Sequence, residues 1–314
     1  MDLVLGLAGF GVGVVVGLTG MGGGALMTPV LVLFFNIPPL AAVSSDLVVS
    51  AVMKPVGAGV HMKRGTVNKA LVGWLCLGSI PAAFGGVLIA KSFGDGETVQ
   101  QVIKTALGIA LLLATAGLVV KAYLVMVDRA RRRQRRLAGQ AEPAPSPGVE
   151  AVRVKPIPTV LIGIVGGIVV GMTSVGSGSL IIIALLALYP MLKANDLVGT
   201  DLVQAVPLVV SASIGHLLFG DFRLDLTTSL LVGALPGVYL GAQLSSRLPG
   251  GLVRRALTVV LLVSGLKLLG VGNTAMVVVL GAVLVLGPVV WMWVRRAHGL
   301  PLTGRAPVEK TAAR

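Results

Sequence analysis

Three ionisable residues lie inside long apolar stretches, where a charged side chain is costly and commonly has a function. Asp46 and Lys54 are about two helical turns apart in the stretch that follows Pro38 and Pro39, and Asp201 lies in a second such stretch. We interpret Lys54 as the countercharge of a bound anion, and Asp46 and Asp201 as coupling residues for a proton or a cation. A structural ion pair with Lys54, or a capping role for the aspartates, is the alternative.

Two glycine-rich segments have the composition of an anion-binding site, because glycines let an oxyanion approach backbone N–H groups. We name them the first tip, residues 20–24, and the second tip, residues 174–179. Each precedes a short apolar run, 25–35 or 179–189, whose helix would turn the positive end of its dipole toward a ligand. The predicted substrate-binding residues, besides Lys54, are Thr19, Gly20, Met21, Gly22, Gly23, Gly24, Thr173, Ser174, Gly176, Ser177, Gly178 and Ser179. Small residues that only permit tight packing or a sharp turn are the alternative.

The whole chain has the composition of a protein that lies in lipid. Of its 314 residues, 55% are hydrophobic and 12% are charged, whereas a soluble domain has about 25% charged residues. Its mean hydropathy is +0.95. This predicts an all-α integral membrane protein whose helical segments lie at about 3–18, 25–35, 40–60, 70–90, 99–127, 158–172, 179–189, 197–218, 226–246, 252–270 and 275–294.

The chain also contains an internal duplication. A shift of 154 residues aligns the first tip with the second, and a shift of 155 aligns Asp46 with Asp201, His61 with His216 and Pro81 with Pro236. We therefore predict two inverted repeats, each a short broken-helix hairpin plus three spanning helices, with one extra C-terminal span. The predicted divisions are a first repeat at 1–127, a basic, Pro-rich cytoplasmic linker at 128–156, a second repeat at 157–271, an additional helix at 272–296 and a tail at 297–314.

Several other classes of function are disfavoured. The net charge of +14 is concentrated around Asp128–Arg136 without any recognition fold, so no nucleic acid is expected as a partner. Neither tip matches a nucleotide-binding loop, and one cysteine cannot build a metal cluster, so neither a cofactor nor a metal is expected. His61 and His216 are predicted to be ordinary interfacial residues at the ends of spans. No feature of the sequence indicates an oligomeric state.

The order of several motifs resembles a known family. The runs GMGGGALMTPVL and HMKRGTVNKALVGWLCLGSIPAAFGGVL in the first half, with VGSGSL, GTDL and GALPGVYLGAQL in the second, are similar to the sulfite exporter TauE/SafE family, also called the toluene sulfonate uptake permeases. The resemblance covers both halves but not the linker or the tail. It implies a secondary carrier of sulfur oxyanions or organosulfonates, such as sulfite, thiosulfate, sulfoacetate or a taurine-like compound, in a bacterial inner membrane. Members of that family are described with seven or eight spans and include both importers and exporters.

Inverted repeats with broken helices favour alternating access at a site near the bilayer midplane, between the repeats. The two tips would then face one another, with a small anion between them and the coupling proton or cation nearby. A membrane-embedded enzyme acting on a lipid or small substrate is an alternative, but the sequence has no reactive constellation for it, so we expect no enzyme. A channel-like anion facilitator is a second alternative.

The distribution of basic residues predicts the topology. With inverted repeats, the linker, Arg254, Arg255 and the basic tail all lie in the cytoplasm, as the positive-inside rule requires. We therefore expect the N-terminus outside and the C-terminus in the cytoplasm. Accessibility labelling of single cysteines placed at the two termini measures this directly, and labelling of both from the same side would contradict the inverted model.

Overall fold

The computed structural model describes residues 2–19, 23–63, 65–94, 96–138, 153–190, 192, 194–244, 250–298 and 300. Within these ranges the chain is all-α and has no strand, which confirms the predicted fold class. The helices are α1 (Leu3–Thr19), α2 (Gly24–Phe34), α3 (Pro39–Lys63), α4 (Lys69–Ser92), α5 (Glu97–Leu137), α6 (Pro156–Thr173), α7 (Leu180–Leu188), α8 (Ala194–Phe219), α9 (Leu224–Leu244), α10 (Gly250–Leu268) and α11 (Asn273–Ala297).

Seven of these helices are long and apolar enough to cross a membrane, namely α3, α4, α5, α6, α8, α9 and α11. The chain is thus a multi-pass membrane protein. The two helices that follow the tips are much shorter, with 11 residues in α2 and 9 in α7. At ~1.5 Å per residue neither reaches across a hydrocarbon core of ~30 Å. Whether the two repeats are inverted in the bilayer stays a prediction.

The basic segment differs from the expected linker in its local structure. The apolar part of α5 ends at Val127, where the prediction placed the end of the span. The helix itself continues through the arginines to Leu137. Arginine, glutamine and leucine are good helix formers, so the end of the apolar run does not end the helix.

The chain divides into two compact units. The first comprises Met1–Leu118 and Pro145–Val271, and it contains both tips and all three buried charges. The second comprises Val119–Ala144 and Gly272–Arg314. In the second unit the ring of Tyr123 in α5 meets the ring of His298, just after α11, edge to face with 6.0 Å between centroids.

Helices from opposite halves pack closely through glycine in the first unit. Gly9, Gly13 and Gly17 of α1 lie one turn apart and face the backbone of α9, so that a Cβ built on Gly13 would lie 2.5 Å from the carbonyl oxygen of Ala234. The corresponding glycines of α6 face the backbone of α4, and a Cβ on Gly167 would lie 2.6 Å from the carbonyl oxygen of Ser79. Small residues at this spacing allow such close approach in membrane helices.

These contacts repeat the internal duplication. In the alignment α1 corresponds to α6 and α9 to α4, so each half packs its first helix against the other half. α3 corresponds to α8 in the same alignment, and these two helices also pack against each other. His216 of α8 contacts Ser44 of α3, and a Cβ on the aligned Gly199 would lie 2.9 Å from Nδ1 of the aligned His61. The duplication read from the sequence is therefore present in the packing.

His216 is a correction to the sequence analysis. It does lie in the last turn of α8, but it is fully buried and is not an ordinary interfacial residue. Its Nε2 lies 2.8 Å from the carbonyl oxygen of Gly171 in α6, and its Nδ1 lies 2.8 Å from Oγ of Ser44 in α3. A carbonyl only accepts, so Nε2 carries a proton. The imidazole links three helices.

The close packing of α1 gives a testable prediction. Gly13→Leu forces a side chain into the backbone of α9 and should destabilise the protein by at least ~1–3 kcal/mol, as overpacking does. Gly11→Leu is the matched control, because Gly11 is exposed in the same helix and a Cβ there would meet no atom within 4 Å. Thermal unfolding of the two variants in detergent should show a lower Tm for Gly13→Leu only. Equal losses would argue against close packing of α1 on α9.

Candidate functional site

The two tips meet inside the first unit. Gly24 begins α2, and Ser174 follows the last residue of α6. A Cβ built on Gly24 would overlap the carbonyl oxygen of Ser174 and would lie 2.7 Å from its Oγ. Only a glycine at position 24 permits this approach. The predicted residues Gly20, Met21 and Gly22 of the first tip lie outside the described residues.

The second tip turns sharply through residues with left-handed backbone. Ser174 has φ 61°, Gly176 has φ 140° and Gly178 has φ 91°. Glycine adopts such values at little steric cost, which explains the alternation of glycine and serine here. The carbonyl oxygen of Gly176 then accepts the N–H of Leu180 at 2.9 Å, so the turn closes directly onto the start of α7.

A carboxylate is bound at the second tip. Oδ2 of Asp201, which is fully buried in α8, accepts the backbone N–H of Gly178 at 2.6 Å. A hydrogen bond to a charged acceptor is stronger than a neutral one. The amides of this tip were predicted to hold a ligand oxyanion, and in this structure one of them holds the protein's own carboxylate.

Lys54 connects the halves at the same place. Its Nζ donates to Oγ of Ser177 at 2.6 Å, and the side chain is only 6% exposed. The ammonium group also attracts both buried carboxylates, Asp201 and Asp46. The structure thus brings Lys54, the second tip and both predicted coupling residues into one cluster.

Asp46 has different neighbours. Its Oδ2 accepts the hydroxyl of Thr28 in α2 at 2.7 Å, and both side chains are fully buried. The hydroxyls of Ser50 and Ser174 lie beside the carboxylate and interact with it without reaching hydrogen-bond geometry. A Cβ on Gly23 would lie 3.7 Å from both Oδ1 of Asp46 and Oγ of Ser50. Asp46 therefore sits among hydroxyls, whereas Asp201 sits on a backbone amide.

Some predicted donors are directed elsewhere. The hydroxyl of Thr19 donates to the carbonyl oxygen of Val15 at 2.8 Å, and that of Thr173 donates to Val169 at 2.6 Å. Both side chains thus bond to carbonyls of their own helices. Ser179 caps α7 without a side-chain hydrogen bond to the helix.

Sequence reasoning missed two buried residues beside Asp46 and a third, Gln204, one turn from Asp201. Thr28 stands in a short apolar helix, and Ser50 follows Asp46 by one turn on the same face. Gln204 follows Asp201 by three residues, and its Nε2 donates to Oγ of Ser79 at 2.6 Å. The i+3 and i+4 spacing of polar residues from each aspartate was the available signal.

The three buried ionisable groups offset one another's charge. A buried charge without a partner is strongly destabilising, and a close opposite charge with hydrogen bonds offsets much of that penalty. With Asp46, Asp201 and Lys54 all ionised, the cluster has one excess negative charge. All three are at most 6% exposed, so the site is closed to water in this structure.

The comparisons with known proteins agree with a membrane transporter fold. The model of the family described as "Sulfite exporter TauE/SafE" matches residues 5–268, which end before α11 begins. "Probable membrane transporter protein YjnA" of Bacillus subtilis (strain 168) is 39% identical over 270 residues, which are 86% of this chain and 100% of that protein. "Probable membrane transporter protein YdhB" of the same organism is 26% identical over 262 residues, covering 83% of this chain and 97% of the relative.

A third relative has the same kind of name. "Probable membrane transporter protein YunE" of Bacillus subtilis (strain 168) is 23% identical over 274 residues, with 85% of this chain and 97% of the relative covered. No solved structure shows a significant match to the chain. The family model covers both repeats, both tips and the buried charges. The chain belongs to the sulfite exporter TauE/SafE family of membrane transporters.

Proposed function

We propose that this transporter is a secondary carrier of small anions, and that its substrates are sulfur oxyanions or organosulfonates such as sulfite, thiosulfate, sulfoacetate or taurine-like compounds. One observation carries the proposal. The backbone N–H of Gly178 holds a carboxylate oxygen of Asp201 beside the ammonium group of Lys54. The second tip therefore has the donors that an oxyanion needs.

A sulfite or sulfonate group has the same acceptor chemistry as this carboxylate. Its negative oxygens would accept from the Gly178 amide, the Ser177 hydroxyl and the Lys54 ammonium, all of which already lie at the second tip. The substrate then competes with Asp201 for the Gly178 amide. Asp201 leaves the amide more readily once another positive charge has entered the cluster, and this requirement links substrate binding to a coupling ion.

The carrier mechanism is alternating access. The site lies between the two halves, and its charged groups are closed to water, as in an occluded state. Opening of the tips toward one side and then the other would move the anion across a bacterial inner membrane. We place the site near the midplane, between inverted repeats, with the N-terminus outside and the C-terminus in the cytoplasm.

The relatives are named as probable membrane transporters, which supports transport rather than chemical conversion of the substrate. The test is a screen of purified protein in liposomes with sulfite, thiosulfate, sulfoacetate, taurine and sulfate. Saturable uptake with counterflow of unchanged substrate supports a carrier. A modified product would indicate an enzyme, and non-saturable flux without counterflow would indicate a channel. Failure to move any of the five compounds would contradict the proposed substrate class.

The countercharge role of Lys54 predicts a specific loss. Lys54→Met removes the charge at similar volume and should lower uptake about tenfold or more, because a charge-assisted hydrogen bond contributes ~1.5–3 kcal/mol. Lys69→Met is the control, since Lys69 is exposed at the start of α4. Uptake is measured per amount of folded protein in the membrane. Normal kinetics in Lys54→Met would remove this residue from the mechanism.

The two aspartates should differ despite their equivalent places in the repeats. Asp201 bonds to the backbone of the second tip, next to the residue that holds Lys54, whereas Asp46 bonds to the hydroxyl of Thr28. We therefore take Asp46 as the aspartate that binds and releases the coupling ion. Asp46→Asn should abolish accumulation driven by an ion gradient and keep downhill exchange. Asp201→Asn should instead change the apparent substrate affinity, because the amide of Gly178 then faces a neutral acceptor. Gradient-driven uptake in liposomes measures both effects, and wild-type accumulation in both variants would rule out coupling through this pair.

A further inference from the structure

We propose that the Asp46 carboxylate and the hydroxyl groups around it bind one sodium ion. The site would lie between α2, α3 and the end of α6, next to the anion site at the second tip. Its role in coupling rests on the proposed function, whereas its existence as a sodium site does not.

Several buried polar atoms around Asp46 lack hydrogen bonds. Oδ1 of Asp46, Oγ of Ser50 and Oγ of Ser174 have no hydrogen-bond partner in the described part of the chain. The three residues are at most 3% exposed. Each unsatisfied buried polar group costs about 1–3 kcal/mol, so three of them at one place indicate a ligand.

The chemistry of these atoms suits a cation. All are oxygens, and oxygen ligands suit hard cations. Ser174 also places the C-terminal end of α6 at this site, since it is the left-handed residue that caps that helix. The C-terminal end of a broken helix carries the negative end of the helix dipole. In transporters with discontinuous helices, such ends and unwound carbonyls coordinate sodium ions.

Charge also favours a cation at this place. Lys54 and Asp201 bond to adjacent residues of the second tip, Ser177 and Gly178. Asp46 bonds instead to the hydroxyl of Thr28, so we assign the excess negative charge of the cluster to Asp46. A monovalent cation at Asp46 makes the cluster neutral, whereas a divalent cation would leave it positive. Several hydroxyls also surround Asp46. A bound proton would bond to only one of these oxygens, whereas a sodium ion can coordinate several of them. These features favour a sodium ion over both alternatives.

The two repeats are asymmetric around their aspartates. The hydroxyl residues Thr28, Ser50 and Ser174 align with Ile182, Ala205 and Gly20, none of which has a side-chain oxygen. The second repeat therefore keeps the aspartate, Asp201, but has none of the three aligned hydroxyls. Its carboxylate accepts the Gly178 amide instead. The three hydroxyls are thus found on the Asp46 side only, and we assign a single sodium ion to that side.

Sodium binding would prepare the cluster for an anion. The added charge at Asp46 frees Lys54 and the second tip to interact with a substrate oxyanion. By linkage the substrate must then raise the affinity for sodium by the same factor. This step depends on the proposed function, and the first experiment below does not.

The test uses purified full-length protein in detergent without any substrate. Thermal unfolding is recorded in NaCl, KCl and choline chloride at equal ionic strength and pH. Sodium should raise Tm by roughly 3–5 °C at about a hundred times its Kd, and further with the logarithm of its concentration, and the other two salts should not. Asp46→Asn should abolish the shift, and Ser50→Ala should weaken the apparent sodium affinity about tenfold or more. Ser213→Ala is the control, because Ser213 is also buried but its hydroxyl donates to the carbonyl oxygen of Val209.

The outcomes separate the hypotheses. A sodium-specific shift that is lost in Asp46→Asn and kept in Ser213→Ala supports the site. No shift, or an equal shift with potassium or choline, overturns it. Stability that depends on pH but not on sodium would assign Asp46 to a proton and equally overturns it. Failure of the anion screen, with the sodium shift intact, would reject the proposed substrate class and leave the sodium site in place.

Discussion

The contact between Lys54 and Ser177 holds the functional centre together. The two residues are 123 positions apart and belong to different halves of the chain. An ammonium group can remain in an apolar interior only where carboxylates and hydrogen-bond acceptors surround it. That requirement fixes α3, α8 and the second tip relative to one another. The meeting of the tips, the bond between Asp201 and Gly178, and the separate surroundings of Asp46 all depend on this arrangement.

Close helix packing makes that arrangement possible. Glycines of α1 and α6 allow these helices to approach α9 and α4 until backbone touches backbone. The glycines within α1 and α6 thus act as packing elements. Gly24 allows the two tips to touch, and the positive φ angles of Gly176 and Gly178 shape the second tip.

Much of the fold follows from sequence patterns, because apolar length and glycine breaks are local properties. All predicted helical segments exist, and the duplication correctly pairs Asp46 with Asp201. The surroundings of these residues were less predictable. The contact of Thr28 with Asp46 and the burial of His216 depend on contacts between separate segments, which no local pattern specifies. The sequence also could not show that the Gly178 amide holds a carboxylate, since that bond depends on how α8 approaches the second tip.

The exchange of first helices between the halves has a consequence for biosynthesis. α1 leaves the ribosome long before its packing partner α9, because most of the chain lies between the two helices. During this interval the glycine-rich face of α1 can meet only lipid or transient neighbours. A chain truncated before α9 would therefore leave α1 unpaired, however complete its first half. Final packing of the first half thus has to wait for translation of the second.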